Sequence, residues 1–412
     1  RRVLRPSLRP VRCIAGPCRG ADHRDKGGQA VLSMTMQTSG NHLKVGLAGR
    51  MDAASLDEIN AWSVPAGIGQ LQIDLAACDY VSSAGLRTFM RWQRLATERL
   101  FTLSVTGANA AVYEVFELTG LNRMIDVRRR AREVSIEGLE LLSAGVCGQC
   151  FRLDGETVLK LYNDGVGPEV AEQEKRYARA AFIAGVPTAL SYDLVSCGSR
   201  TGVVYEMLAA EQFSALIRRT PDSVAEHGAM LASVAHAFHS RTADPAVFPD
   251  LKTRLLGNIR DLAAWLPQED VSLLEARLGM IRDADTLVHF DLHTSNIMIK
   301  DGESMIIDLG DFSRGSWLFD LGVLYMIYGV PRLGLCERAT KIPAAKGVEL
   351  WQRIEQQYFA DKSPEEWTFF HRNRNFLASL RLIYASTFLP SRRPAYLEML
   401  QEILLPAIRD TV

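Results

Sequence analysis

The sequence predicts two domains: an α/β domain with a sheet flanked by helices, followed by a bilobal α+β domain whose C-terminal lobe is mostly helical. Three observations predict this division. The chain of 412 residues is too long for one ordinary hydrophobic core. Patterns typical of strands and helices alternate between residues 31 and 127. Strand patterns then dominate residues 135–211, and helical patterns dominate residues 212–412.

The first 30 residues are rich in Arg, Pro and Gly and show no apolar period. Such a segment cannot bury enough apolar surface to offset the entropy that ordering costs. It also lacks the apolar core of a secretory signal. We therefore expect residues 1–30 to form a disordered basic tail.

Composition narrows the class of protein. Apolar residues make up 47%, charged residues 23%, and the net charge is −1, which is typical of a soluble protein with no global attraction for nucleic acid. No apolar run reaches the roughly 18 residues that a membrane helix needs, so we expect no membrane partner. Seven cysteines without framework spacing favour the cytoplasm. Cys147 and Cys150 form a C-x-x-C pair, but no second pair of zinc ligands lies nearby in the sequence. We interpret them as small residues of a tight loop; the alternative is a redox-sensitive pair.

The first domain shows three strand patterns and two long helix patterns. Alternating apolar residues predict strands at Leu43, Val45 and Leu47, at Leu71, Ile73 and Leu75, and at Phe101, Leu103 and Val105. Helical spacing joins Leu86, Phe89 and Met90, and again Val112, Val115, Phe116 and Leu121. Asp52 is expected to cap a further helix that begins there. Residues 31–127 therefore form an α/β domain with helices over a sheet.

The segment from Leu71 to Arg87 resembles the STAS signature of anti-sigma factor antagonists. In that family a serine lies between a strand and a helix, where free N–H groups and the helix dipole stabilise an added phosphate. Matched on the Gly-Leu pair, Ser83 takes the regulatory phosphorylation position, and Ser82 takes a position where many relatives carry Asp. A plain helix cap at Ser82 is an alternative that does not exclude phosphorylation of Ser83. The resemblance implies an anti-sigma factor or a serine kinase as partner.

Charged residues separate the two domains. The run Arg128-Arg129-Arg130-Ala131-Arg132 interrupts the apolar pattern. We interpret residues 128–134 as a solvated linker. The second domain then spans residues 135–412, with an N-lobe at about 135–211 and a C-lobe at about 212–412.

The strongest chemical signal of the second domain is a predicted hairpin. Two apolar runs flank Asp301-Gly302, a strong two-residue turn signal. Asn296 and Asp308 lie symmetrically about Gly302, so folding the hairpin should bring them side by side at its open end. An amide oxygen beside a carboxylate suits a hard cation such as Mg²⁺. Asp291 lies just upstream, where a carboxylate can orient or deprotonate a substrate hydroxyl.

This spacing resembles the catalytic and metal-binding motifs of aminoglycoside and choline kinase-like families, H-x-D-L-H-x-x-N followed by I-D-[FL]-G. The resemblance implies that Asp291 is the catalytic base and that Asn296 and Asp308 hold the metal. His289 and His293 are expected to have structural roles, with their rings hydrogen-bonded in the catalytic loop.

The same family pattern continues upstream. Gly145 and Gly148 lie in a glycine loop that can approach phosphates, although a plain turn explains them as well. Lys160 lies in an apolar strand and resembles the lysine that contacts the α- and β-phosphates. Glu174 is the expected partner of this lysine, with Glu172 as the reserve.

A short segment resembles the hinge whose backbone binds adenine. It reads Tyr205-Glu206-Met207-Leu208, and we assign Glu206 and Met207 to nucleotide binding. The implied cofactors are ATP and Mg²⁺. The resemblance is good over residues 140–325, whereas the last 85 residues match only as generic helices.

The sequence favours a small-molecule acceptor over a peptide. Protein kinases carry a segment of some 20 to 30 residues after the metal-binding Asp, and Asp320 follows Asp308 too soon for one. Asp320 resembles the buried aspartate that braces the catalytic loop in small-molecule kinases. We therefore predict an ATP- and Mg²⁺-dependent phosphotransferase acting on a hydroxyl or amine, coupled to a STAS regulatory module. The alternative is a non-catalytic nucleotide sensor whose STAS domain binds an anti-sigma factor.

Overall fold

The structure, a computed structural model, describes residues 32–145 and 147–411. The tail predicted for residues 1–30 lies outside the described residues. The chain divides into two compact units between Ala131 and Arg132, and each is described by itself. No helix in the described part is both long and apolar enough to cross a membrane.

The first unit is a five-stranded sheet with helices, as predicted. Its elements are β1 (Ser33–Ser39), β2 (His42–Met51), α1 (Asp57–Ala61), β3 (Gln70–Val81), α2 (Ser83–Arg99), β4 (Thr102–Ala108), α3 (Ala110–Leu118) and β5 (Asp126–Arg129). The strand order is β1-β2-β3-β4-β5, with β1 antiparallel to β2 and the other neighbours parallel. Phe89 lies at the centre of the core, with its ring 5.4 Å from Trp92 and 5.0 Å from Phe116 between centroids.

Two local predictions need correction in this unit. Helix α1 begins at Asp57 rather than at Asp52. The Asp52 carboxylate instead accepts a hydrogen bond from the backbone N–H of Ala54 at 3.2 Å, because a short polar side chain stabilises a turn as readily as a helix start. The predicted linker is also shorter than expected. Strand β5 continues to Arg129, and Arg130 and Ala131 alone separate it from the first strand of the second unit.

The second unit begins with a six-stranded sheet and one helix. They are β6 (Arg132–Glu133), β7 (Glu140–Ala144), β8 (Gly148–Arg152), β9 (Thr157–Tyr162), α4 (Pro168–Ile183), β10 (Ser191–Cys197) and β11 (Arg200–Glu206). The strand order is β6-β10-β11-β9-β8-β7. Strand β9 is therefore central, between β8 and β11, which places the side chain of Lys160 beside the α4 face of the sheet.

The rest of the second unit is mainly helical and carries two small sheets. In chain order it contains β12 (Glu211–Gln212), α5 (Phe213–Arg219), α6 (Val224–His239), α7 (Leu251–Asp261), α8 (Gln268–Gly279), β13 (Thr286–Val288), β14 (Ile297–Lys300), β15 (Glu303–Ile306), β16 (Ser313–Gly315), α9 (Leu318–Leu324), α10 (Leu335–Thr340), α11 (Ala344–Tyr358), α12 (Pro364–Phe388), α13 (Arg393–Met399) and α14 (Leu405–Arg409). The sheets are β12-β14-β15 and β13-β16.

Helix α12 is a 25-residue helix of this region that packs against α9. It starts with a capping box, in which Ser363 and Glu366 each accept the other's backbone N–H. It packs closely on α9, since a Cβ added at Gly322 would lie 2.7 Å from the Cβ of Leu377. The prediction of a strand-rich lobe followed by a helical lobe is confirmed.

Candidate active site

The predicted hairpin forms, but its register is centred between Asp301 and Gly302, so Asn296 lies opposite Ile307 rather than Asp308. Ile297 pairs with Ile306 and Lys300 with Glu303. Asp301 and Gly302 make the turn with φ values of 53° and 83°, as a two-residue turn with both central residues at positive φ requires. At the open end the backbone N–H of Ile307 donates to the carbonyl of Asn296 at 3.0 Å. Asn296 and Asp308 are therefore carried by adjoining strand ends.

Asp320 braces the loop that precedes this hairpin. Its buried carboxylate accepts the backbone N–H groups of His289 at 2.9 Å and Phe290 at 2.6 Å. His239 adds a third contact, with Nε2 at 3.1 Å from Oδ2. Phe290 has a φ of 62°, which a bulky residue adopts only when its surroundings hold it. The brace fixes the backbone immediately before Asp291.

The two histidines of the motif are hydrogen-bonded within the loop, as predicted. The His289 ring accepts the backbone N–H of Asp291 at Nδ1, 3.3 Å away, and its Nε2 lies 3.3 Å from the carbonyl of Ile307. The His293 Nδ1 accepts the backbone N–H of Ser295 at 3.2 Å. Burial lowers the pKa of His293 against the opposing effect of Asp291.

Asp291 is held by groups from two parts of the chain. Its Oδ1 lies 2.9 Å from Nη2 of Arg381 in α12. The amide nitrogen of Asn296 donates to the Asp291 backbone carbonyl at 3.0 Å and lies 3.4 Å from Oδ2. Burial opposes ionisation of this carboxyl, but Arg381 and then His293 outweigh it, so the pKa of Asp291 lies below its usual value.

Lys160 links a sheet strand to the end of the hairpin. Its ammonium nitrogen lies 2.8 Å from both carboxylate oxygens of Glu174 and 2.9 Å from Oδ1 of Asp308. Tyr205 donates its hydroxyl to Glu174 at 2.9 Å, and Tyr162 donates to the other oxygen. Glu174, the predicted partner, is thus the carboxylate that contacts Lys160.

The charges of Lys160, Glu174 and Asp308 stabilise one another. Lys160 lowers the pKa of Asp308 to about 2 against the opposing effect of burial. Burial lowers the pKa of Lys160, but Asp308 and Glu174 raise it well above the ordinary value. Asp308 has a φ of 63°, and half of its side chain is exposed (50%). A charged carboxylate is therefore presented at the surface of the site.

Comparison with known proteins identifies both units. Residues 139–364, more than half of the chain, match the model of the phosphotransferase enzyme family. The chain belongs to this family. Residues 34–126 match the model described as Mlab, STAS domain. The predicted pairing of a STAS domain with a phosphotransferase domain is confirmed.

Individual relatives match one domain each. The anti-sigma-B factor antagonist of Listeria monocytogenes is 27% identical over 99 residues, which are 23% of this chain and 86% of that protein, and its Listeria innocua counterpart gives the same values. A choline/ethanolamine kinase family protein from Mesorhizobium loti shares 18% identity over 66% of this chain and 92% of that one, with a TM-score of 0.40. The ternary complex of streptomycin, ATP and the phosphotransferase APH(2")-IIa shares 16% identity over 72% and 97%, with a TM-score of 0.43.

The glycine loop of the phosphotransferase domain lies between β7 and β8. Gly145 donates its backbone N–H to the carbonyl of Gly148 at 2.8 Å. A Cβ at Gly148 would lie 2.4 Å from the backbone oxygen of Leu161, so only glycine allows β8 to approach β9 here. Cys147 and Cys150 are free thiols in and after this loop.

Two backbone N–H groups of the predicted hinge are hydrogen-bonded within the phosphotransferase domain. The backbone N–H of Met207 donates to the carbonyl of Glu156 at 2.7 Å, so it is committed within the phosphotransferase domain. Glu206 donates its own N–H to the carbonyl of Leu190 at 2.9 Å. The sequence could not show this, because both acceptors come from distant parts of the chain.

The STAS domain presents two serines with different environments. Ser82 caps α2 and accepts the backbone N–H of Gly85 at 3.3 Å, so the capping alternative is confirmed. Ser83 is the first residue of α2, and its side chain is exposed. The structure therefore separates a capping hydroxyl from a neighbouring exposed hydroxyl.

Two groups of site residues escaped the sequence analysis. Tyr162 and Tyr205 hold Glu174, but a tyrosine in a strand is ordinarily read as core. Arg381 lies 90 positions after Asp291, on a helix that resembled generic helices. The available signal was weak: Arg381 is a single charge in the apolar run from Phe376 to Tyr384.

Proposed function

We propose that the second domain transfers the γ-phosphoryl group of ATP, with Mg²⁺, to a hydroxyl or amine of a small molecule. The observation that carries this proposal is the position of Lys160 between Glu174 and Asp308, at 2.8 and 2.9 Å. One strand lysine thereby meets both the helix carboxylate and the carboxylate that follows the hairpin. Phosphoryl transfer depends mainly on positioning and charge neutralisation, and this group supplies both.

Lys160 is arranged to hold phosphate groups. Glu174 is buried, accepts two tyrosine hydroxyls and fixes the ammonium from one side. Asp308 is half exposed and engages the same ammonium from the other side. Nucleotide phosphates entering the site can replace Asp308 as the partner of Lys160, which frees that carboxylate to bind a cation.

The residues present fit a magnesium ion. Mg²⁺ prefers oxygen ligands and is usually bound by one or two protein groups, with waters and substrate phosphates completing its shell. Asp308 offers a carboxylate. Asn296 turns its amide nitrogen toward Asp291, which leaves its amide oxygen as a second hard ligand. When bound, the ion neutralises charge on the transferred phosphoryl group.

Asp291 is suited to orient the acceptor. Although burial opposes ionisation, the Arg381 guanidinium holds the pKa of Asp291 below its usual value, so the carboxyl is ionised at neutral pH, and the Asp320 brace fixes its backbone. A carboxylate so placed accepts the proton of an acceptor hydroxyl as the phosphoryl group arrives.

The short segment between Asp308 and helix α9 indicates the class of acceptor. Asp308 and the start of α9 are joined by β16 and two short turns. This connection has no room for a peptide-docking segment of some 20 to 30 residues. We therefore assign a small molecule, and not a protein, as the acceptor.

The STAS domain is proposed as the regulatory module, in a cytoplasmic protein. Its exposed Ser83 opens a 17-residue helix, where free N–H groups can hold a phosphate. The proposed partners are an anti-sigma factor and a separate serine kinase that modifies Ser83. The Listeria relatives are themselves anti-sigma-B factor antagonists.

A screen for ADP release tests the proposed function. Purified full-length protein is incubated with Mg·ATP and small-molecule hydroxyl and amine acceptors, and in parallel with protein acceptors. We expect ADP release that a small-molecule acceptor stimulates. Binding of Mg·ATP without ADP release under any condition would instead support the non-catalytic nucleotide sensor.

A further inference from the structure

Helix α12 contributes one charged side chain to the candidate active site. Arg381 lies in its second half, and only 15% of its side chain is exposed. Its Nη2 is 2.9 Å from Oδ1 of Asp291, and its Nη1 is 2.8 Å from Oδ2 of Asp311. One planar guanidinium thus joins the catalytic loop to the segment that follows Asp308.

The surroundings of Arg381 hold the guanidinium in one position. Tyr384, one helical turn further on, donates its hydroxyl to Oδ1 of Asp311 at 2.7 Å. The guanidinium carbon lies 5.5 Å from the ring centre of Phe290 and 5.3 Å from that of Tyr384. A guanidinium that stacks on rings and pairs with two carboxylates has little rotational freedom.

This arrangement gives the two oxygens of Asp291 different surroundings. Oδ1 is engaged by Arg381, whereas Oδ2 faces the amide of Asn296 at 3.4 Å and His293 Nε2 at 3.9 Å. The oxygen on the side of the proposed metal ligand is therefore the one left to meet an acceptor. Without Arg381, the carboxylate can rotate and present either oxygen.

We propose that Arg381 is a positioning residue for phosphoryl transfer, which holds Oδ1 of Asp291 so that Oδ2 is aimed at the acceptor. The inference rests on the proposed function, because it assigns a task to the residue that sets the direction of Asp291. It also brings α12, a helix without a recognisable motif, into the active site.

Kinetics of full-length variants test this inference, with ADP release from Mg·ATP as the readout and water as the acceptor. Arg381→Met should lower kcat by about 10- to 100-fold, since misplacing a catalytic group has effects of that order. The KM for Mg·ATP and the affinity for Mg·ADP should change by less than about twofold, because the nucleotide-facing group around Lys160 is untouched. Arg381→Lys should recover part of kcat, since it restores the positive charge but not the planar guanidinium that binds two carboxylates at once.

Two comparisons separate positioning from a structural role. Arg372→Met changes an exposed arginine on the same helix and should leave kcat unchanged. In an Asp291→Asn background, Arg381→Met should have no further effect on kcat, because a residue that acts through Asp291 has nothing left to position.

Each outcome decides a different claim. The inference is overturned if Arg381→Met keeps the parental kcat, or if it lowers kcat by the same factor with and without Asp291. The proposed function itself fails if the parent releases no ADP with water or with any acceptor of the screen, or if Asp291→Asn releases it as fast as the parent, and the inference then fails with it. A loss confined to the Asp291-containing background, with partial recovery in Arg381→Lys, supports both.

Discussion

Lys160 and Asp308 are 148 positions apart in the chain, yet the ammonium nitrogen of one lies 2.9 Å from Oδ1 of the other. The contact joins the central strand of the six-stranded sheet to the end of the β14–β15 hairpin. It makes the stability of the sheet and the charge of the proposed metal site depend on the same lysine.

Replacing Lys160 should therefore have a stability effect as well as a binding effect. Lys160→Met leaves the buried Glu174 without a cation, and removing one partner of a buried pair costs on the order of 3 kcal/mol. Adding Glu174→Gln should restore part of that free energy of unfolding without restoring Mg·ATP binding. Denaturant unfolding and calorimetric titration measure the two effects, with the exposed Lys300→Met as the control. Full stability in Lys160→Met would contradict the geometry of this group.

The Asp320 brace should be essential to the catalytic loop. Asp320→Ala leaves the buried N–H groups of His289 and Phe290 without their acceptor, and each such group costs about 1–3 kcal/mol. We expect a loss of about 2–5 kcal/mol in denaturant unfolding. The exposed Asp283→Ala, which removes a surface pair with Lys252, should leave the free energy of unfolding nearly unchanged. Equal losses in the two variants would show that the brace adds no more than a surface contact.

Replacing Ser82 should destabilise the STAS domain, whereas replacing the neighbouring Ser83 should not. Ser82→Ala removes a helix cap and should cost about 0.5–2 kcal/mol. Ser83→Ala removes an exposed hydroxyl and should cost less than about 0.5 kcal/mol. Thermal unfolding of the two variants measures this difference. The reverse order would mean that Ser83, and not Ser82, is the capping residue.

Phosphate should be found on Ser83 in protein purified from its native cells. An added phosphate brings about −1.5 to −2 charges to the start of α2, so the fold persists while the partner surface changes its charge. Ser83→Asp should weaken binding to an anti-sigma-type partner, and Ser83→Ala should bind constitutively. Phosphosite mapping is the first test. Phosphate on Ser82 alone, or equal partner binding by both variants, would remove Ser83 from this role.

The boundary between the two units should be the first site of proteolysis. Arg130 and Ala131 lie outside the strands on either side, and each unit has its own hydrophobic core. Limited trypsin digestion should cut at Arg130 and yield two folded fragments. Early cleavage within residues 40–127 would place the boundary elsewhere.

The parts of the site that were predictable from sequence are those built by local chain geometry. The β14–β15 hairpin follows from Asp301 and Gly302, whose positive φ values close a two-residue turn. Strand register then places Asn296 at its open end, with Asp308 one residue beyond the position opposite it. The pairing of Lys160 with Glu174 was also predicted, because each residue matches a position of the family pattern, and the two are in contact.

What the sequence could not show depends on contacts between distant segments. Arg381 reaches Asp291 only because α12 packs along the catalytic loop, and no local pattern marks that packing. The same holds for Met207, whose N–H is taken by Glu156. At Asp52 the local signal was ambiguous, since an aspartate favours both a turn and a helix start.

The most direct test of the central claim is the comparison of Mg·ATP binding and ADP release in the parent, Asp308→Ala and Asp291→Ala. Calorimetric titration with and without chelator measures binding, and a coupled assay measures ADP. The parent should bind ATP only with Mg²⁺ present and should release ADP. Asp308→Ala should lose binding, whereas Asp291→Ala should keep binding and lose turnover by orders of magnitude. A parent that binds no nucleotide with Mg²⁺, or an Asp291→Ala variant that turns over ATP at the parental rate, would contradict the account.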